Sequence, residues 1–576
     1  MSDTLIPSDA NVSEQNVQKT GLRIFAGRRG RKLREYILAY ALLLPAFIII
    51  FTFGIFPLAF SAYESTLTGL NKIVGTYVGL GNYVKAIDNL TYVVFFWLAI
   101  AFFYIGIQNI VKVRSVAAEH QERPWLWAIP ATILSVGMLL FVRFFFMFLP
   151  ELLGVADKMR KAQRAGEGPP SLLFRQFVSE AFHLPNIQQA FWLSIAVLAI
   201  AIVAAIVFVR ILPKSRHQGE YYGLFVQISI MLIGATALAW YTWSEVQRAY
   251  ADAIANGESL DIWTQVITIS AGFVLLLLSW WLWNGASRRD SNFSMVWRLG
   301  AAVVLMIGGY LLIVELPQVI GAGDKKWWMG LQNTVYYSLG TIPFQLAISL
   351  MLATFLFQDI RGKSFFRVIY FLPYITPVVG AAAIFRILFS GRVDAPVNRI
   401  VTAFGFEALG WLNEPNGIFQ MMLGQSVRLP AWAVGPSLSM IVIIIFSIWT
   451  FVGFNTVIFL AGLGSIPSTL YESASIDGAG RWAQFRHITL PLLSPTIYLL
   501  TLYAVIGTFK AFTHIFVLRT GAALGTTDTA SVVIFDAFNR DTRIGYASAL
   551  AMLLLLIVMG LTVINNRVAS KKVFYG

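Results

Sequence analysis

The chain has 576 residues, of which 57% are hydrophobic and only 12% are charged, and its mean hydropathy is +0.69. Soluble proteins carry about 25% charged residues, so this composition excludes an ordinary soluble enzyme and indicates a membrane protein. The formal net charge is +14, but the Lys and Arg residues lie in short loops beside apolar segments. That placement sets membrane orientation and argues against nucleic-acid binding. The absence of cysteine excludes disulfides and thiolate metal sites.

Apolar segments long enough to cross a bilayer recur along the chain and predict an all-α polytopic membrane protein with about twelve transmembrane helices. The N-terminal tail, residues 1–35, is polar and too long to be the start of a signal peptide, so we expect a disordered tail. The predicted spans are 36–62, 91–111, 125–149, 187–210, 222–243, 262–284, 297–315, 330–357, 368–390, 435–462, 489–516 and 544–566.

Basic residues orient these spans. Five of them precede the first span, namely Arg28, Arg29, Arg31, Lys32 and Arg34. The positive-inside rule therefore predicts a cytoplasmic N-terminus. Alternate loops are also basic, including those that carry Lys214 with Arg216 and Arg288 with Arg289, whereas loop 244–261 on the opposite side carries mainly carboxylates. Because the number of spans is even, both termini are predicted to be cytoplasmic.

The most polar helix-patterned segment of the C-terminal half is 471–495, YESASIDGAGRWAQFRHITLPLLSP. Ser468 can cap a helix over 468–477, and Gly478 can end it, because glycine accepts the left-handed conformation. A second helix is predicted over WAQFRHI, before Leu490-Pro491. This helix–turn–helix is either an ordinary amphipathic loop at the membrane interface or a surface that another protein contacts.

The segment IPSTLYESASIDGAGRWAQFRHITLPLLSP (466–495) resembles the EAA loop of ABC importer permeases, which runs Glu-Ala-Ala, Asp-Gly-Ala and then Ile-x-Leu-Pro-x-x-x-Pro. Ser473 stands where the family usually has alanine. Other stretches, among them ILAYALLLPAFIIIFTFGIFPLAF and LQNTVYYSLGTIPFQLAISLMLA, resemble core spans of carbohydrate-type permeases. The most similar type is the larger permease of maltose transporters, and the resemblance covers about 35–90 and 327–576.

The resemblance implies that loop 468–488 docks into a cleft of a cytoplasmic ATPase subunit, which binds ATP and Mg. This chain would bind no cofactor and would be a non-catalytic transport subunit, and its sequence has no ATP-binding motif or metal-ligand spacing. The implied partners are a second permease subunit, two ATPase subunits and an extracytoplasmic substrate-binding protein, in the bacterial cytoplasmic (inner) membrane. The predicted coupling residues are Glu472, Ser473, Ala474, Asp477, Gly478, Ala479 and Arg481.

The resemblance also suggests a domain organisation. We expect a cytoplasmic tail over 1–35, a first core helix with its outer loop over 36–90, an inserted membrane block of about six helices over 91–329, and the permease core over 330–576. An even number of inserted spans preserves the orientation of the core. The insert could alternatively be a docking or regulatory module for another membrane protein.

Aromatic, hydroxyl and amide side chains on two core spans are candidates for a sugar path, because rings stack on sugars and polar groups hydrogen-bond to them. Lys510 is expected to be a buried cation, which tends to be functional in a membrane. Each residue could instead serve helix–helix packing. The candidates are Ser447, Trp449, Thr450, Phe454, Asn455, Thr508, Lys510 and Thr513.

The sequence therefore predicts a transmembrane permease subunit of a binding-protein-dependent ABC importer, which forms half of the path for a sugar or oligosaccharide. The alternatives are a self-sufficient secondary carrier, a permease for a polyol or glycerol phosphate, and a membrane enzyme acting on lipid or glycan. We expect no Asp or Glu within the twelve spans, which argues against a carrier because carriers keep carboxylates at membrane depth. No polar catalytic cluster is found at a span end.

Overall fold

The computed structural model describes residues 28–69, 75–211, 217–257, 260–286, 293–358, 361–424, 429 and 433–572. Within these residues the secondary structure is helical, and the β-contacts are two isolated antiparallel bridges, Leu67–Tyr77 and Gly417–Ser437. The predicted all-α fold class is therefore confirmed. The loop pairs Lys214 with Arg216 and Arg288 with Arg289 lie outside the described residues.

The chain divides into two compact units, Met1–Phe60 and Ser61–Gly576. The first unit is described from the start of helix α1 (Arg28–Ile50), which is followed by a π-helical turn (Phe51–Ile55) and by α2 (Phe56–Glu64). The predicted tail lies outside the described residues up to residue 27, and residues 28–35 are helical.

The second unit begins with a series of long apolar helices. Six of them are long and apolar enough to cross a membrane, and they occupy the segment where six inserted spans are predicted. Helix α4 packs along α8, α5 along α7, and α9 along α10. The bounds are α3 (Gly81–Ile87), α4 (Leu90–Glu119), α5 (Ala128–Arg164), α6 (Pro170–Phe182), α7 (Pro185–Ile211), α8 (Gln218–Asn256), α9 (Ile262–Ala286) and α10 (Phe293–Ala322).

The remaining helices form the core of the predicted permease. They are α11 (Lys325–Phe357), α12 (Lys363–Ile375), α13 (Val378–Leu388), α14 (Pro396–Ala403), α15 (Ile418–Leu423), α16 (Leu438–Gly464), α17 (Ser468–Ile476), α18 (Arg481–Gln484), α19 (Leu490–Leu492), α20 (Ser494–Phe509), α21 (Thr513–Leu518), α22 (Ala530–Asn539) and α23 (Ile544–Lys572). Helix α11 packs along α16, and α20 contacts α11, α16 and α23. Helix α16 is the most buried, because it is surrounded by other core helices on most of its faces.

The part of the chain that the structure describes holds ten continuous helices long enough to span a membrane, and two bent helix pairs bring the number to twelve. The predicted spans 368–390 and 489–516 correspond to these two bent pairs. The first bends by 93° between α12 and α13. Thr376 is extended there because it precedes Pro377, which disfavours the helical conformation. The second bends by 62° before α20 and ends at Phe509.

The expectation that the spans hold no carboxylate is also wrong. Glu315 lies inside α10 and is half-buried. Glu245 lies inside α8, which runs well past the predicted end of its span, and is only 6% exposed. Its carboxylate accepts a hydrogen bond from the Leu80 N–H at 3.0 Å and pairs with Arg248 at 2.8 Å. A lack of carboxylates therefore no longer argues against a secondary carrier.

Candidate functional site

The predicted coupling loop folds as two short helical segments around a glycine turn. Helix α17 ends before Gly478, whose φ of +80° is the left-handed conformation that glycine accepts without strain. The Ala479 N–H donates to the Ala474 carbonyl at 2.8 Å, and the Gly478 N–H donates to the Ser475 carbonyl at 3.1 Å. These bonds satisfy carbonyls that the end of a helix leaves free.

The start of this helix differs from the prediction. Pro467 occupies the N-cap position, and no side chain caps the helix, so the predicted role of Ser468 is wrong. A proline just before the first turn presets the backbone without needing a capping hydroxyl. The second predicted helix is present, but it is not α-helical throughout, because α18 passes at Phe485 into a π-helical turn that ends at Thr489.

The candidate coupling residues lie on the outside of this loop. Glu472, Ser473, Asp477, Gly478 and Arg481 are exposed, whereas Ala474 and Ala479 are half-buried. Within the described residues, none of the three charged side chains in this group forms an ion pair. They are therefore available to a partner.

Two large apolar side chains of this loop that are not among the predicted coupling residues are also exposed. Ile476 is 87% exposed and Trp482 is 71% exposed. The Trp482 ring stacks on Phe485 with a centroid distance of 5.6 Å, which fixes its orientation. Large exposed apolar groups beside polar ones are typical of an interaction surface, and tryptophan is a frequent energetic anchor in interfaces.

A second candidate site is a cavity of about 230 Å³ between α11, α16, α20 and the start of α21. Its lining combines aromatic rings with neutral polar side chains. The lining residues are Tyr337, Thr341, Gln345, Val378, Phe451, Asn455, Tyr503, Ala504, Gly507, Thr508, Ala511, Phe512, Thr513 and His514.

Three buried polar atoms in this lining have no hydrogen-bond partner among the described residues. They are Thr341 Oγ1, Gln345 Oε1 and Asn455 Nδ2, and their residues are 1%, 3% and 3% exposed. Buried polar groups are normally paired, because an unpaired one loses its hydration without compensation. These atoms are therefore suited to bind a polar ligand or water.

The structure brings only some of the predicted path residues to this cavity. Asn455, Thr508 and Thr513 line it. Phe454 lies behind the lining, where its ring stacks on Tyr374 at 4.7 Å and contacts Tyr503 at 5.6 Å.

The other predicted path residues do not line the cavity. Thr450 is buried and donates to the Phe446 carbonyl at 2.9 Å within its own helix. Trp449 is 40% exposed and packs on Phe385. The prediction that Lys510 is a buried cation is wrong, because α20 ends at Phe509 and leaves Lys510 exposed.

Ser447 belongs to a buried group that borders the cavity. The Tyr337 hydroxyl lies 2.7 Å from Ser447 Oγ and 2.9 Å from His514 Nε2, and those two atoms lie 3.1 Å apart. This triangle joins α11, α16 and α21. It therefore fixes the positions of three elements that build the cavity wall.

The sequence contains a pattern from which other lining residues could have been predicted. Tyr337, Thr341, Gln345 and Ser349 recur every four residues on α11, which places them on one face of an otherwise apolar helix. A polar stripe of this kind inside a span indicates a face that lines a cavity or contacts another helix. Ser349 does the latter, since its hydroxyl donates to the Val452 carbonyl at 3.0 Å.

A separate pocket of about 410 Å³ lies beyond the N-terminal end of α11 and is strongly charged. Asp324, Lys326, Asp528, Asp536 and Arg540 are among its lining residues. Burial raises the pKa of the Asp528 carboxyl.

Arg519 forms ion pairs with two carboxylates that line this pocket, Asp528 and Asp536. Its guanidinium donates to both Asp536 oxygens at 2.8 Å and 3.0 Å, and this hydrogen bonding raises the pKa of Arg519. Asn333 donates to the carbonyls of Gly525 and Asp528 at 3.1 Å and 2.9 Å, which holds the loop between the charged pocket and the inner cavity.

Comparison with known proteins is consistent with this architecture. Residues 345–572 match the model of the family described as binding-protein-dependent transport system inner membrane component. The arabinooligosaccharides transport system permease protein AraP of Bacillus subtilis is 29% identical over 269 residues, which is 46% of this chain and 79% of that protein.

Two further relatives are similar over comparable shares of the chain. The probable ABC transporter permease protein YesP of Bacillus subtilis is 31% identical, over 48% of this chain and 85% of that protein. The lactose transport system permease protein LacF of Rhizobium radiobacter is 30% identical, over 43% of this chain and 78% of that protein. The chain thus belongs to the family of binding-protein-dependent transport system inner membrane components.

Proposed function

We propose that this chain is the permease subunit of an ABC importer that takes up a carbohydrate, and that loop 468–488 couples it to a cytoplasmic ATPase. Family membership supports the transport role. The names of relatives that transport arabinooligosaccharides and lactose support a carbohydrate cargo. ATP and Mg would be bound by the partner ATPase, and an extracytoplasmic binding protein would deliver the cargo.

The observation that carries this proposal is the geometry of the loop. It combines a well-ended helix, exposed charged side chains and the exposed apolar side chains of Ile476 and Trp482. A rigid helical projection can transmit a displacement to the helices behind it, whereas a flexible loop cannot. Transport driven by ATP hydrolysis requires such an energetic coupling between the two sites.

The cavity is the part of the proposed path that this chain would supply. Its volume of about 230 Å³ is below the roughly 300–1,000 Å³ of typical small-molecule sites. A second permease subunit would supply the opposite wall, so that each chain forms half of the path. In this arrangement both termini and loop 468–488 face the cytoplasm.

The test is a pulldown of the full chain from its native membrane, with co-purified proteins identified by mass. The Gly478→Pro variant cannot form the turn, because proline fixes φ near −65°. A matched control is Gly166→Pro. Gly166 also ends a helix with φ of +78°, and its neighbours make the same pair of bonds, Gly166 N–H to the Gln163 carbonyl and Glu167 N–H to the Ala162 carbonyl.

We expect an ATPase and a second permease to co-purify with the wild-type chain and with Gly166→Pro. The ATPase should be lost from Gly478→Pro and from Glu472→Lys. If the chain purifies alone, or if all four proteins retain the same partners, loop 468–488 is not the coupling element and a self-sufficient carrier becomes the better account.

A further inference from the structure

We infer that the cavity selects uncharged, hydroxyl-rich cargo, and that Gln345 and Asn455 are the specificity-determining residues. This inference rests on the proposed function and adds to it the charge class of the substrate. It separates neutral oligosaccharides and polyols from uronic acids and from polyol phosphates, which a carbohydrate permease could also carry.

The charge of the side chains that line the cavity supports this inference. No Asp, Glu, Lys or Arg is among the described residues that line the cavity. The titratable groups there are two tyrosines and His514, whose Nε2 is held by the hydroxyls of Tyr337 and Ser447. A carboxylate or phosphate that reached this wall would lose hydration without meeting a cation from this chain, which is strongly unfavourable. The charged pocket beyond α11, by contrast, is lined by charged side chains of both signs.

The hydrogen-bonding capacity of the unpaired polar atoms in the lining supports it as well. Gln345 Oε1 accepts hydrogen bonds, Asn455 Nδ2 donates them, and the Thr341 hydroxyl does both. A sugar hydroxyl also both donates and accepts, so it can satisfy all three. An anionic oxygen only accepts, and it would therefore face the Gln345 oxygen without a proton between them.

The aromatic rings in the lining support it further. Phe451, Tyr503 and Phe512 place aromatic rings beside these polar atoms. A ring can cover the apolar face of a sugar while the polar atoms bind its hydroxyls. This combination favours a cyclic polyhydroxylated molecule over a small inorganic anion.

The experiment uses a strain of the source bacterium from which the chain is deleted and then restored at its native level. Uptake is measured for lactose, arabinotriose and raffinose as neutral probes, for digalacturonate as an acidic probe, and for glycerol 3-phosphate as a phosphorylated probe. A broader growth panel of neutral and acidic carbon sources extends the comparison. We expect every compound whose uptake depends on the chain to be uncharged.

Dependence of any acidic or phosphorylated compound on the chain would overturn the inference and leave the proposed function standing. If no carbohydrate of either class depends on the chain, the proposed function fails, and the inference fails with it. The pulldown distinguishes these outcomes, because it reports assembly independently of the cargo.

Variants then test the role of Gln345. Gln345→Glu keeps the side-chain size but adds a charge, and we expect uptake of the neutral cargo to fall by roughly a hundredfold. Gln345→Met keeps the size without the hydrogen bond and should reduce uptake less. The control is Gln189→Glu, because Gln189 is exposed near the start of α7 and does not line the cavity.

The amount of each variant in the membrane and its co-purified ATPase are measured in parallel. Unchanged uptake by Gln345→Glu at the wild-type level of protein would overturn the assignment. If Gln345→Glu does not accumulate in the membrane, Gln345→Met becomes the test. Unchanged uptake by Gln345→Met would then overturn the assignment of Gln345.

Discussion

The Gln484 side chain donates a hydrogen bond from Nε2 to Ser475 Oγ at 2.9 Å, across the turn that Gly478 makes. The same amide also donates to the Ala479 carbonyl at 3.1 Å. On the other side of the loop, the Tyr471 hydroxyl lies 2.9 Å from Thr489 Oγ1. Side chains as well as the backbone therefore hold the two halves of loop 468–488 together, as a force-transmitting element requires.

Replacing Gln484 with alanine should loosen this loop without unfolding the spans. Each lost hydrogen bond contributes about 0.5–1.5 kcal/mol, so amide hydrogen exchange of residues 468–488 should become faster in the purified chain. Gln176→Ala is the control, because it removes a 2.9 Å hydrogen bond to Glu180 on the exposed face of α6. Equal exchange of the loop in both variants would contradict a bracing role for Gln484.

The Tyr337 hydroxyl should stabilise the core through its contacts with Ser447 and His514. Tyr337→Phe leaves both groups buried with one partner fewer, and we expect the free energy of unfolding to fall by about 1–3 kcal/mol. Tyr336→Phe is a control on the next residue, because the Tyr336 hydroxyl accepts an exposed hydrogen bond from Gln332 at 2.9 Å. Thermal unfolding of the detergent-purified chain gives the comparison. A Tm for Tyr337→Phe equal to that of Tyr336→Phe would count against the role of the triangle.

Lys510 and Thr508 should differ sharply although they are two residues apart. Lys510 is exposed, so Lys510→Met should change uptake by no more than about twofold, as is usual for surface substitutions. Thr508 lines the cavity and accepts a hydrogen bond from Ser338 at 2.9 Å. Thr508→Val should reduce uptake more strongly. The opposite order of effects would show that Lys510 faces the path in the assembled transporter.

Glu245 should hold the inserted helices to the loop that precedes α3. Glu245→Ala leaves the Leu80 N–H buried without its acceptor, which costs about 1–3 kcal/mol. Gly79 packs so closely on this carboxylate that a Cβ would lie 1.7 Å from Oε2, so Gly79→Ala should be destabilising as well. Gly154→Ala on α5 is the control, since Gly154 is half-buried but a Cβ there meets nothing within 4 Å. Equal thermal stability of all three variants would refute this anchoring role.

The sequence predicts the positions of the spans well, because bilayer thickness fixes the length of an apolar helix. It also predicts the glycine that ends α17, because backbone sterics leave few alternatives at that turn. Two spans were predicted without their bends, because hydropathy does not report the direction of a helix. Pro373 and Pro377 in the first of these spans offered a local signal for the bend.

The cavity was predicted only in part. Asn455 and Thr508 were identified from their residue type, but residue type alone does not tell which face of a helix a side chain occupies. Only the burial expected of Lys510 is wrong, because α20 ends at Phe509, and its assignment to the path stays a prediction. Gln345 was overlooked even though its four-residue spacing from Thr341 places both on one face.

The central claim is that loop 468–488 contacts an ATPase, and site-specific cross-linking tests it most directly. Because the chain has no cysteine, Ile476→Cys provides a unique attachment point, and exposed Phe174→Cys on α6 provides a control on the predicted opposite side of the membrane. In native membranes we expect Ile476→Cys to form an adduct with a nucleotide-binding subunit, identified by mass, and Phe174→Cys to form none. The absence of an adduct from Ile476→Cys in membranes that transport normally would contradict the account.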